Sequence, residues 1–368
     1  MPFIFNLLGR FVALLDKTSP TTGDNMDDNE MDLLESVVPG LIGEFLQRFD
    51  ILKSIDLLAP VGRRVLSEHL HLSERVLRSQ TDVLKTQGLL TSSQAGMMLS
   101  DEGRRVMNGL EPVANRFLGL TSQEKLLAER LDIERCFIVR GDRADGDAVT
   151  KQLGTILNDA LAKLLPEGNN TIVVMGGSTM ASVAMQLSPE LSNNRKLTFV
   201  PGRGGIGESV DKQANSVAAL MAKRTRGEAK SLYIPEQLSE STYHPLLNEP
   251  TVKPVLDLIS HAGVAIHGIG KAGDMARRRG VNEEILSYLR KAKAVGEAFG
   301  SFYNREGRIL YQVHRIGLQL NDVQHFNHVF AAASGHDNAQ AIESYMKIAP
   351  HQTILITDEG AANAILKK

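Results

Sequence analysis

The sequence has one cysteine, Cys136, and no tryptophan among its 368 residues. A single cysteine cannot form an intramolecular disulfide, which excludes a disulfide-stabilised fold and is typical of proteins from a reducing cytoplasm. It also excludes a zinc site built from clustered cysteines. At roughly 150 residues per domain, the length predicts two or three domains. We therefore expect a multidomain cytoplasmic protein.

The chain also lacks an excess of either charge and a long hydrophobic run. Its 41 Lys and Arg residues nearly balance 43 Asp and Glu residues, which excludes a protein that coats nucleic acid or membrane through bulk charge. The apolar stretch 1–15 is interrupted by Arg10 and is too short to span a bilayer. We expect no membrane partner, and any nucleic-acid binding must arise from a local arrangement.

Residues 1–39 are predicted to be a poorly ordered leader and acidic linker. Between residues 16 and 35, seven Asp and Glu side chains accompany one lysine in a context rich in Pro, Thr, Gly and Asn, which favours a linker. The apolar start is either a loosely ordered leader or the result of a start codon assigned too far upstream. The alternative is a small amphipathic helix that contacts a partner.

Residues 40–108 predict a winged helix-turn-helix, followed by a helical linker over 109–130. Apolar residues at helical spacing indicate a helix that ends near Ala59 and Pro60. A second helix covers Arg63–Leu70, and a third begins after Ser73, whose hydroxyl suits an N-cap. Two short apolar runs about a polar turn, 88–90 and 97–99, then predict a hairpin, the wing. In such a domain the third helix enters the major groove of DNA.

The third helix is predicted to have an apolar side (Val76, Leu77, Val83, Leu84) and a charged side (Arg75, Arg78, Asp82, Lys85). Gln80 falls on the apolar side, so either the helix is rotated or a polar residue is tolerated there. Arginines at positions 75 and 78 suit contacts with base edges, whereas Arg63, Arg64 and Lys85 suit phosphates. Ser73 and Ser79 complete the predicted DNA-binding set. The alternative is a solvated face, or a winged helix that binds protein.

From residue 131 to 368 the pattern alternates strands with helices, which predicts a mostly parallel sheet covered on both faces. The predicted strands are 133–139, 171–175, 197–200, 231–234, 264–267, 329–333 and 353–357. The predicted helices include 148–165, 179–187, 213–225, 282–293, 338–348 and 360–366. Ligands of such sheets bind beyond the carboxyl ends of the strands, so the turns after the strands are the candidate site.

Two of these turns suit phosphate. The turn Met175–Thr179 enters a helix with two glycines and two hydroxyls, which favours an anion. The turn 201–207 places Arg203 among glycines, where a guanidinium can make a bidentate phosphate contact. Glycines 202, 204 and 207 also satisfy G-x-G-x-x-G, but the following helix begins late and no acidic residue ends the next predicted strand, which disfavours a dinucleotide fold.

Two further turns, 267–271 and 296–300, bring cations and a carboxylate. The first is followed by Arg277, Arg278 and Arg279, which bind anions or form only a solvated helix face. Glu297 in the second is placed to accept hydroxyl hydrogen bonds. No Walker A motif, Ser/His/Asp set or metal-ligand cluster accompanies these turns. The simplest ligand is a phosphorylated or bisphosphorylated sugar, and we expect no cofactor, metal or catalytic residue.

Together these motifs resemble the SorC/DeoR family of sugar-responsive bacterial transcriptional regulators, in particular its repressors of central glycolytic genes. The resemblance rests on 63–67 and 72–78 in the N-terminal part. In the C-terminal part it rests on 176–179, 203–205, 267–270, 276–278, 295–300 and 313–322. It covers about residues 40–368 and implies an α/β protein in which a winged helix-turn-helix precedes a larger Rossmann-like sugar-phosphate-binding domain at 131–368.

The resemblance implies a homo-oligomeric repressor, dimer or tetramer, that binds an operator of glycolytic genes and is released by fructose 1,6-bisphosphate. Position by position, it implies that Ser178, Thr179 and Arg203 hold one phosphate, that Gln213 lies near the sugar, and that Arg278 holds the second phosphate. Glu297 would bind a hydroxyl. The complete predicted effector set is Gly177, Ser178, Thr179, Arg203, Gly204, Gly205, Gln213, Lys271, Arg278, Glu297 and Asn338.

One position departs from the family pattern, which has a lysine where this chain has Asn338. The departure bears on effector affinity and identity. The sugar domain is also similar to sugar-phosphate isomerases and deaminases, so an enzyme with an accessory winged helix is the alternative function. The catalytic carboxylates of those enzymes are not evident here, which favours a sensor.

Overall fold

A computed structural model describes residues 36–70, 72–117, 120–205, 209–235, 240–313 and 315–367. The chain divides into two compact units between Ser122 and Gln123. Most of the predicted leader, residues 1–35, lies outside the described residues. None of the described helices is both long and apolar enough to cross a membrane.

The first unit has the helix, helix, helix, hairpin, helix order predicted from the sequence. Its elements are α1 (Leu41–Leu58), α2 (Arg63–Leu70), α3 (Glu74–Thr86), β1 (Leu90–Ser93), β2 (Gly96–Leu99) and α4 (Asp101–Phe117). Helix α1 ends before Ala59 because the residue preceding a proline disfavours helical backbone. Ser73 caps α3, its hydroxyl oxygen accepting from the Val76 amide at 3.3 Å. Helix α4 continues through residue 108.

One hydrophobic core holds this unit together. Ile51, Ile55, Leu66 and Leu77 are fully buried and bring the first three helices into contact. The hairpin joins the same core through Leu90, Met97 and Leu99. Burial of these apolar surfaces is the main force that fixes α3 against α1 and α2.

The second unit contains a seven-stranded parallel sheet with the order β3-β13-β12-β7-β4-β5-β6. The strands are β3 (Arg135–Val139), β4 (Gly168–Val174), β5 (Arg195–Pro201), β6 (Glu228–Ala229), β7 (Val264–Gly268), β12 (His328–Ala332) and β13 (Thr353–Asp358). The order reverses between β4 and β7, and sheets of this kind bind ligands at such a switch point. Six of the seven predicted strands are confirmed.

The predicted strand 231–234 is wrong. Pairing with β5 occurs instead at Glu228 and Ala229, and the Lys230 amide donates to the Phe199 carbonyl at 2.9 Å. Leu232 and Ile234 are buried without strand pairing. The alternation of apolar and polar residues in 231–234 therefore results from a loop that buries every second side chain, and not from a strand paired in the sheet.

Helices alternate with the strands along the chain, as the sequence pattern predicted. They are α5 (Leu120–Leu131), α6 (Asp147–Leu164), α7 (Ser178–Ala184), α8 (Ala214–Thr225), α9 (Glu240–Leu247), α10 (Lys253–Ser260), α11 (Ala272–Arg278), α12 (Glu283–Lys291), α13 (Ala339–Met346) and α14 (Glu359–Leu366). Apolar residues of β4, β5, β7, β12 and β13 pack with α6, α7 and α8 into one core cluster.

A second, antiparallel sheet was not predicted from the sequence. It consists of β8 (Gly270–Lys271), β9 (Gly296–Ala298), β10 (Ser301–Tyr303) and β11 (Ile309–Gln312), in the order β11-β10-β9-β8. The segment 296–300, which we predicted to be a turn of the parallel sheet, is therefore strand β9 and the start of a hairpin. Its three-residue strands are too short to produce a clear alternating pattern.

Candidate DNA interface and effector cavity

The recognition helix α3 buries a narrower stripe than the sequence predicted. Leu77, Thr81 and Leu84 are its buried residues, whereas Val76 is 40% exposed. The helix is thus rotated so that Thr81 faces the core in place of Val76. Gln80 is half-buried, and its side-chain oxygen accepts from the Arg48 side chain of α1 at 2.8 Å. This hydrogen bond explains a polar residue beside the apolar stripe.

The rotation leaves the N-terminal half of α3 accessible for DNA. Arg75, Arg78 and Ser79 are exposed on it, as is the capping residue Ser73, while Lys85 is half-buried near its end. The Arg78 guanidinium lies 3.9 Å from the Asp82 carboxylate, and both side chains are more than half exposed. Such a surface ion pair is weak and exchanges readily for a phosphate or a base edge.

Helix α2 presents Arg63 and Arg64, and both are exposed. Arg64 pairs with Glu68 one turn later at 3.2 Å. The wing, by contrast, has no basic residue between Gly88 and Ser100, so it can contact a phosphate backbone only through hydroxyl and amide groups. The basic residues predicted for DNA contact therefore lie on α2 and α3.

A cavity of about 670 Å³ lies in the second unit at the carboxyl ends of the parallel strands. Turns after β4, β5, β7, β12 and β3 contribute to its wall, together with β9 and α11. The lining includes eight of the predicted effector residues: Gly177, Ser178, Thr179, Arg203, Lys271, Arg278, Glu297 and Asn338. The structure thus brings together residues that are 161 positions apart, from Gly177 to Asn338, at one site.

The three remaining predicted residues, Gly204, Gly205 and Gln213, do not belong to the cavity lining. Gly204 packs against Ile234 so closely that an added Cβ would lie 2.5 Å from the Ile234 carbonyl oxygen. Gly205 lies against the Gln213 side chain. Glycine at position 204 therefore permits close packing next to Arg203, whereas a Cβ at position 205 would make only ordinary contacts. Gly207 lies outside the described residues.

Ser178 and Thr179 begin helix α7, and both are half-buried at the cavity wall. The preceding turn is held against the next loop, because the Gly177 amide donates to the Lys212 carbonyl at 2.8 Å. An added Cβ on Gly176 would lie 2.4 Å from that same carbonyl oxygen. Only glycine allows this approach, which holds the turn before Ser178 against the Lys212 backbone.

Arg203 is 3% exposed and lies at the cavity wall. Its backbone forms an isolated antiparallel bridge with Gly317, and the neighbouring Leu318 amide donates to the Gly202 carbonyl at 2.7 Å. The arginine is thus held at the end of β5 by a second chain segment. A guanidinium fixed in this way is suited to bidentate binding of phosphate.

A buried ion pair, which the sequence did not reveal, forms another part of the wall. Arg279 donates to Glu297 at 2.8 Å, and the two side chains are 4% and 3% exposed. The Gly300 amide donates to the same carboxylate oxygen. Although burial raises the pKa of Glu297, Arg279 and Arg315 lower it, and the net pKa lies below its usual value. Glu297 is therefore an ionised acceptor at neutral pH.

His267, at the end of β7, is fully enclosed. Its Nδ1 contacts the Gly268 carbonyl oxygen at 3.0 Å and its Nε2 contacts the Tyr345 hydroxyl at 3.2 Å. Burial lowers the pKa of His267 to about 4. Phe299 lies against the ring at 4.3 Å between centroids and has a positive φ of 51°, followed by Gly300 at 80°. This tight turn supplies a neutral aromatic floor to the cavity.

Lys271 and Asn338 are committed to partners within the chain. Lys271 forms ion pairs with Asp337 and, at 3.6 Å, with Asp274; the hydrogen bond to Asp337 raises the pKa of Lys271. The Asn338 amide nitrogen donates to the Ile269 carbonyl at 3.0 Å, whereas its oxygen is buried with no hydrogen-bond partner in the described part of the chain. Asn338 thus offers the cavity an acceptor.

The charge balance of the lining favours an anion. Six Lys or Arg side chains line the cavity (Arg143, Arg203, Lys212, Lys271, Arg278, Arg279) against three carboxylates (Asp274, Glu297, Asp337). Each carboxylate already has a cation beside it: Arg277 beside Asp274, Arg279 beside Glu297 and Lys271 beside Asp337. An anionic, oxygen-rich ligand fits this lining, and none of these carboxylates is left as an evident general base.

Sequence reasoning did not include Arg143, Lys212 and His336 in the site, and it named Arg279 only within the arginine trio that either binds anions or forms a solvated helix face. Arg143 and His336 follow β3 and β12, at the same edge of the sheet as the phosphate turns, so the rule for parallel sheets would have found both loops. Among the described residues, no group of three or more His, Cys, Asp or Glu side chains is arranged to hold a metal ion.

Comparison with protein-family models matches both units. The model of a sugar-binding domain matches residues 115–367, and the model of the CggR N-terminal DNA binding domain matches residues 45–114. The central glycolytic genes regulator of Bacillus subtilis (strain 168) is 41% identical over 333 residues, or 90% of this chain and 97% of the relative. The regulator of the same name from Priestia megaterium is 38% identical over 337 residues, which cover 92% of this chain and 98% of that relative.

Solved structures of transcriptional regulators are also similar to this chain. A structure described as a SorC family transcriptional regulator from Enterococcus faecalis is 48% identical, with a TM-score of 0.64, and covers 67% of this chain and 99% of that chain. The full-length sorbitol operon regulator SorC from Klebsiella pneumoniae shares the fold at 14% identity, with a TM-score of 0.62 over 83% of this chain and 94% of that chain.

These findings confirm the predicted fold class and a regulator rather than an enzyme. The sequence motifs, the winged helix and the sugar-binding domain all lie in one chain that is matched over nearly its whole length. The chain belongs to the central glycolytic genes regulators of the SorC/DeoR family.

Proposed function

We propose that the protein represses glycolytic genes by binding their operator, and that fructose 1,6-bisphosphate bound in the cavity of the second unit relieves repression. The carrying observation is the cavity lining, in which six cationic side chains and three hydroxyl-bearing residues surround a volume of about 670 Å³. Pockets of ~300–1,000 Å³ suit small ligands. The names of the relatives support glycolytic genes as the target.

Ser178, Thr179 and Arg203 are the proposed grip on one phosphate, and Arg278 on the other. The ionised carboxylate of Glu297 is the proposed acceptor for a sugar hydroxyl. The effector needs no further cofactor, because the site holds and senses a ligand and breaks no bond in it. Operator binding places the protein in the cytoplasm.

Repression also requires more than one copy of the chain. A winged helix reads a short half-site, and two of them bind with useful affinity when the protein holds them at the spacing of the operator. The sugar phosphate is proposed to favour an arrangement of a dimer or tetramer in which that spacing is lost. Sedimentation of the protein with operator DNA, with and without effector, measures this change.

The direct test is a mobility shift on the promoter of the protein's own operon at fixed salt, because salt alone changes DNA affinity. A shift that millimolar fructose 1,6-bisphosphate abolishes supports the proposal. Arg203→Met is expected to keep the shift and lose the response to the sugar phosphate. Absence of a specific shift, accompanied by turnover of a sugar phosphate, would favour the enzyme instead.

A further inference from the structure

The loop between β3 and α6, residues 140–146, carries an arginine that no sequence motif identified. Arg143 is exposed, and it lines the effector cavity together with Ala144. The loop begins where β3 ends, at the edge of the sheet on which the phosphate turns lie. An exposed arginine beside a cavity is common, so its significance depends on how firmly the loop is held.

Carboxylates from the end of β13 and the start of α14 fix this loop. The Arg143 amide donates to the buried Asp358 carboxylate at 2.7 Å, and the Gly141 amide donates to Glu359 at 2.7 Å. Asp358 also accepts from the Gly335 amide at 2.9 Å. One buried carboxylate therefore joins the Arg143 loop to the loop that follows β12.

A second carboxylate, that of Asp142, reinforces the connection. It accepts from the His336 amide at 3.1 Å and contacts the His336 ring Nδ1 at 2.9 Å. The close approach needs glycine at position 360, since an added Cβ there would lie 1.8 Å from the Asp142 carboxylate. The backbone that carries Arg143 is thus determined by several independent hydrogen bonds, which is the preorganisation expected of a binding residue.

Two other polar side chains of the lining, Lys271 and Asn338, donate to partners within the chain. Lys271 is paired with Asp337 and Asp274, and the Asn338 amide donates to the Ile269 carbonyl. Arg143 and the Ser178 turn follow β3 and β4, which are separated by three strands in the sheet. Four spacings of about 4.8 Å put the two strand axes roughly 19 Å apart. The two turns therefore serve different ends of a ligand.

From these contacts we infer that Arg143, together with Arg278, binds the second phosphate group and thereby selects bisphosphorylated over monophosphorylated sugars. The inference rests on the proposed function, because it assigns a role within the same cavity. Bidentate contact of the guanidinium with phosphate oxygens adds affinity only when the ligand carries that second group.

The test is calorimetric titration of the full-length protein with fructose 1,6-bisphosphate and with fructose 6-phosphate. Arg143→Gln is expected to weaken bisphosphate binding about 10- to 100-fold and to change monophosphate binding by less than about twofold. Arg143→Lys keeps the charge but loses the planar guanidinium. Its affinity for the bisphosphate is expected to lie between those of the wild type and Arg143→Gln. Arg277→Gln is the matched control, because Arg277 is exposed on α11, pairs with Asp274 at 2.6 Å and does not line the cavity.

Equal losses for the two ligands, unchanged bisphosphate affinity, or an equal loss in Arg277→Gln would each overturn the role of Arg143. Failure of the wild-type protein to bind either sugar phosphate would overturn the proposed function and the inference with it. Melting curves without ligand verify that each variant is folded; if Arg143→Gln is not, the comparison of Arg143→Lys with the wild type decides.

Discussion

Arg279 donates a hydrogen bond of 2.8 Å to Glu297, and both side chains are almost fully buried in the wall of the effector cavity. The sequence predicted Glu297 as a hydroxyl acceptor and Arg278 as the neighbouring phosphate ligand. It did not distinguish Arg279, which turns inward, from Arg277, which turns to solvent and pairs with Asp274. In the proposed function, a sugar bound in the cavity would meet a carboxylate that Arg279 already orients.

Removing one partner of this pair leaves the other charge buried. We expect Glu297→Gln to reduce the free energy of unfolding by about 3 kcal/mol, the typical cost of breaking a buried ion pair from one side. Denaturant titration measures the change, with Glu284→Gln on the exposed face of α12 as the control. A loss no larger than in the control would mean that the ion pair does not stabilise the unit.

The same pair makes stability depend on acid pH. Because the pKa of Glu297 in the folded protein lies below its ordinary value of 4.5, its contribution is present above about pH 4.5 and is lost as pH falls through the folded-state pKa. Denaturant titrations between pH 6 and pH 3 should show this loss in the wild type and a smaller one in Glu297→Gln. If the free energy of unfolding falls equally with pH in both proteins, Glu297 is not the source of the acid dependence.

Glu124 on α5 is expected to make stability depend on pH in the opposite direction. Burial raises the pKa of Glu124 to about 7, although the Ile138 amide, which donates to it at 2.8 Å, lowers it. A group whose folded-state pKa is raised stabilises below its unfolded pKa, and that stability is lost as pH rises through about 7. Above the folded-state pKa the loss should reach about 3 kcal/mol.

Glu124→Gln is expected to be more stable than the wild type at pH 8 and to lose this part of the pH dependence. Thermal melting of both proteins at pH 6 and pH 8 measures this difference in stability. Glu129→Gln, an exposed residue on the same helix, should behave as the wild type. If Glu124→Gln and Glu129→Gln respond alike to pH, the carboxyl group at 124 is not the source.

For DNA binding, Arg78→Ala should weaken operator affinity by about 1–3 kcal/mol and relax the preference at one base position, because Arg78 is exposed on α3. Arg63→Ala should weaken binding to all sequences and reduce the salt slope by about one. Fluorescence anisotropy over a salt series separates these effects. Arg105→Ala on α4, which pairs with Glu102, is the control, and an equal loss there would contradict the placement of the interface.

The wing depends on glycine at position 96. Its φ is +137°, and an added Cβ would lie 2.8 Å from the Val61 backbone nitrogen. Val61 and Met97 exchange two backbone hydrogen bonds at 2.9 and 3.1 Å, so the strand cannot move away without losing them. Gly96→Ala should destabilise the first unit by about 2 kcal/mol. Gly43→Ala in α1, with open space around it, should be neutral or slightly stabilising, and equal effects would refute the steric argument.

The sequence predicted the elements that depend on local signals. Ser73 identified the start of α3 through its capping hydroxyl, and the apolar runs located six parallel strands. It could not place Gln80, because the side chain that satisfies it, Arg48, is 32 residues away and comes near only after α1 and α3 pack. Short strands such as β9 and β10 carry too few residues for a period to emerge.

The parts of the candidate site that lie in glycine-rich turns were predicted from the sequence. Ser178, Thr179 and Arg203 stand among glycines and were identified, whereas Arg143 stands in an ordinary polar loop. Its position follows from carboxylates at 142 and 358, which are 216 residues apart in the sequence. Contacts of that kind arise from the strand order, and a single sequence does not disclose them.

The measurement that most directly tests the account is the affinity of fructose 1,6-bisphosphate for the protein alone and for the protein saturated with operator DNA. If the sugar phosphate relieves repression by weakening DNA binding, DNA must weaken sugar-phosphate binding by the same factor. Calorimetry should therefore give a lower sugar-phosphate affinity in the DNA complex, equal in ratio to the loss of operator affinity at saturating effector. The same affinity in both states would contradict the coupling between cavity and operator.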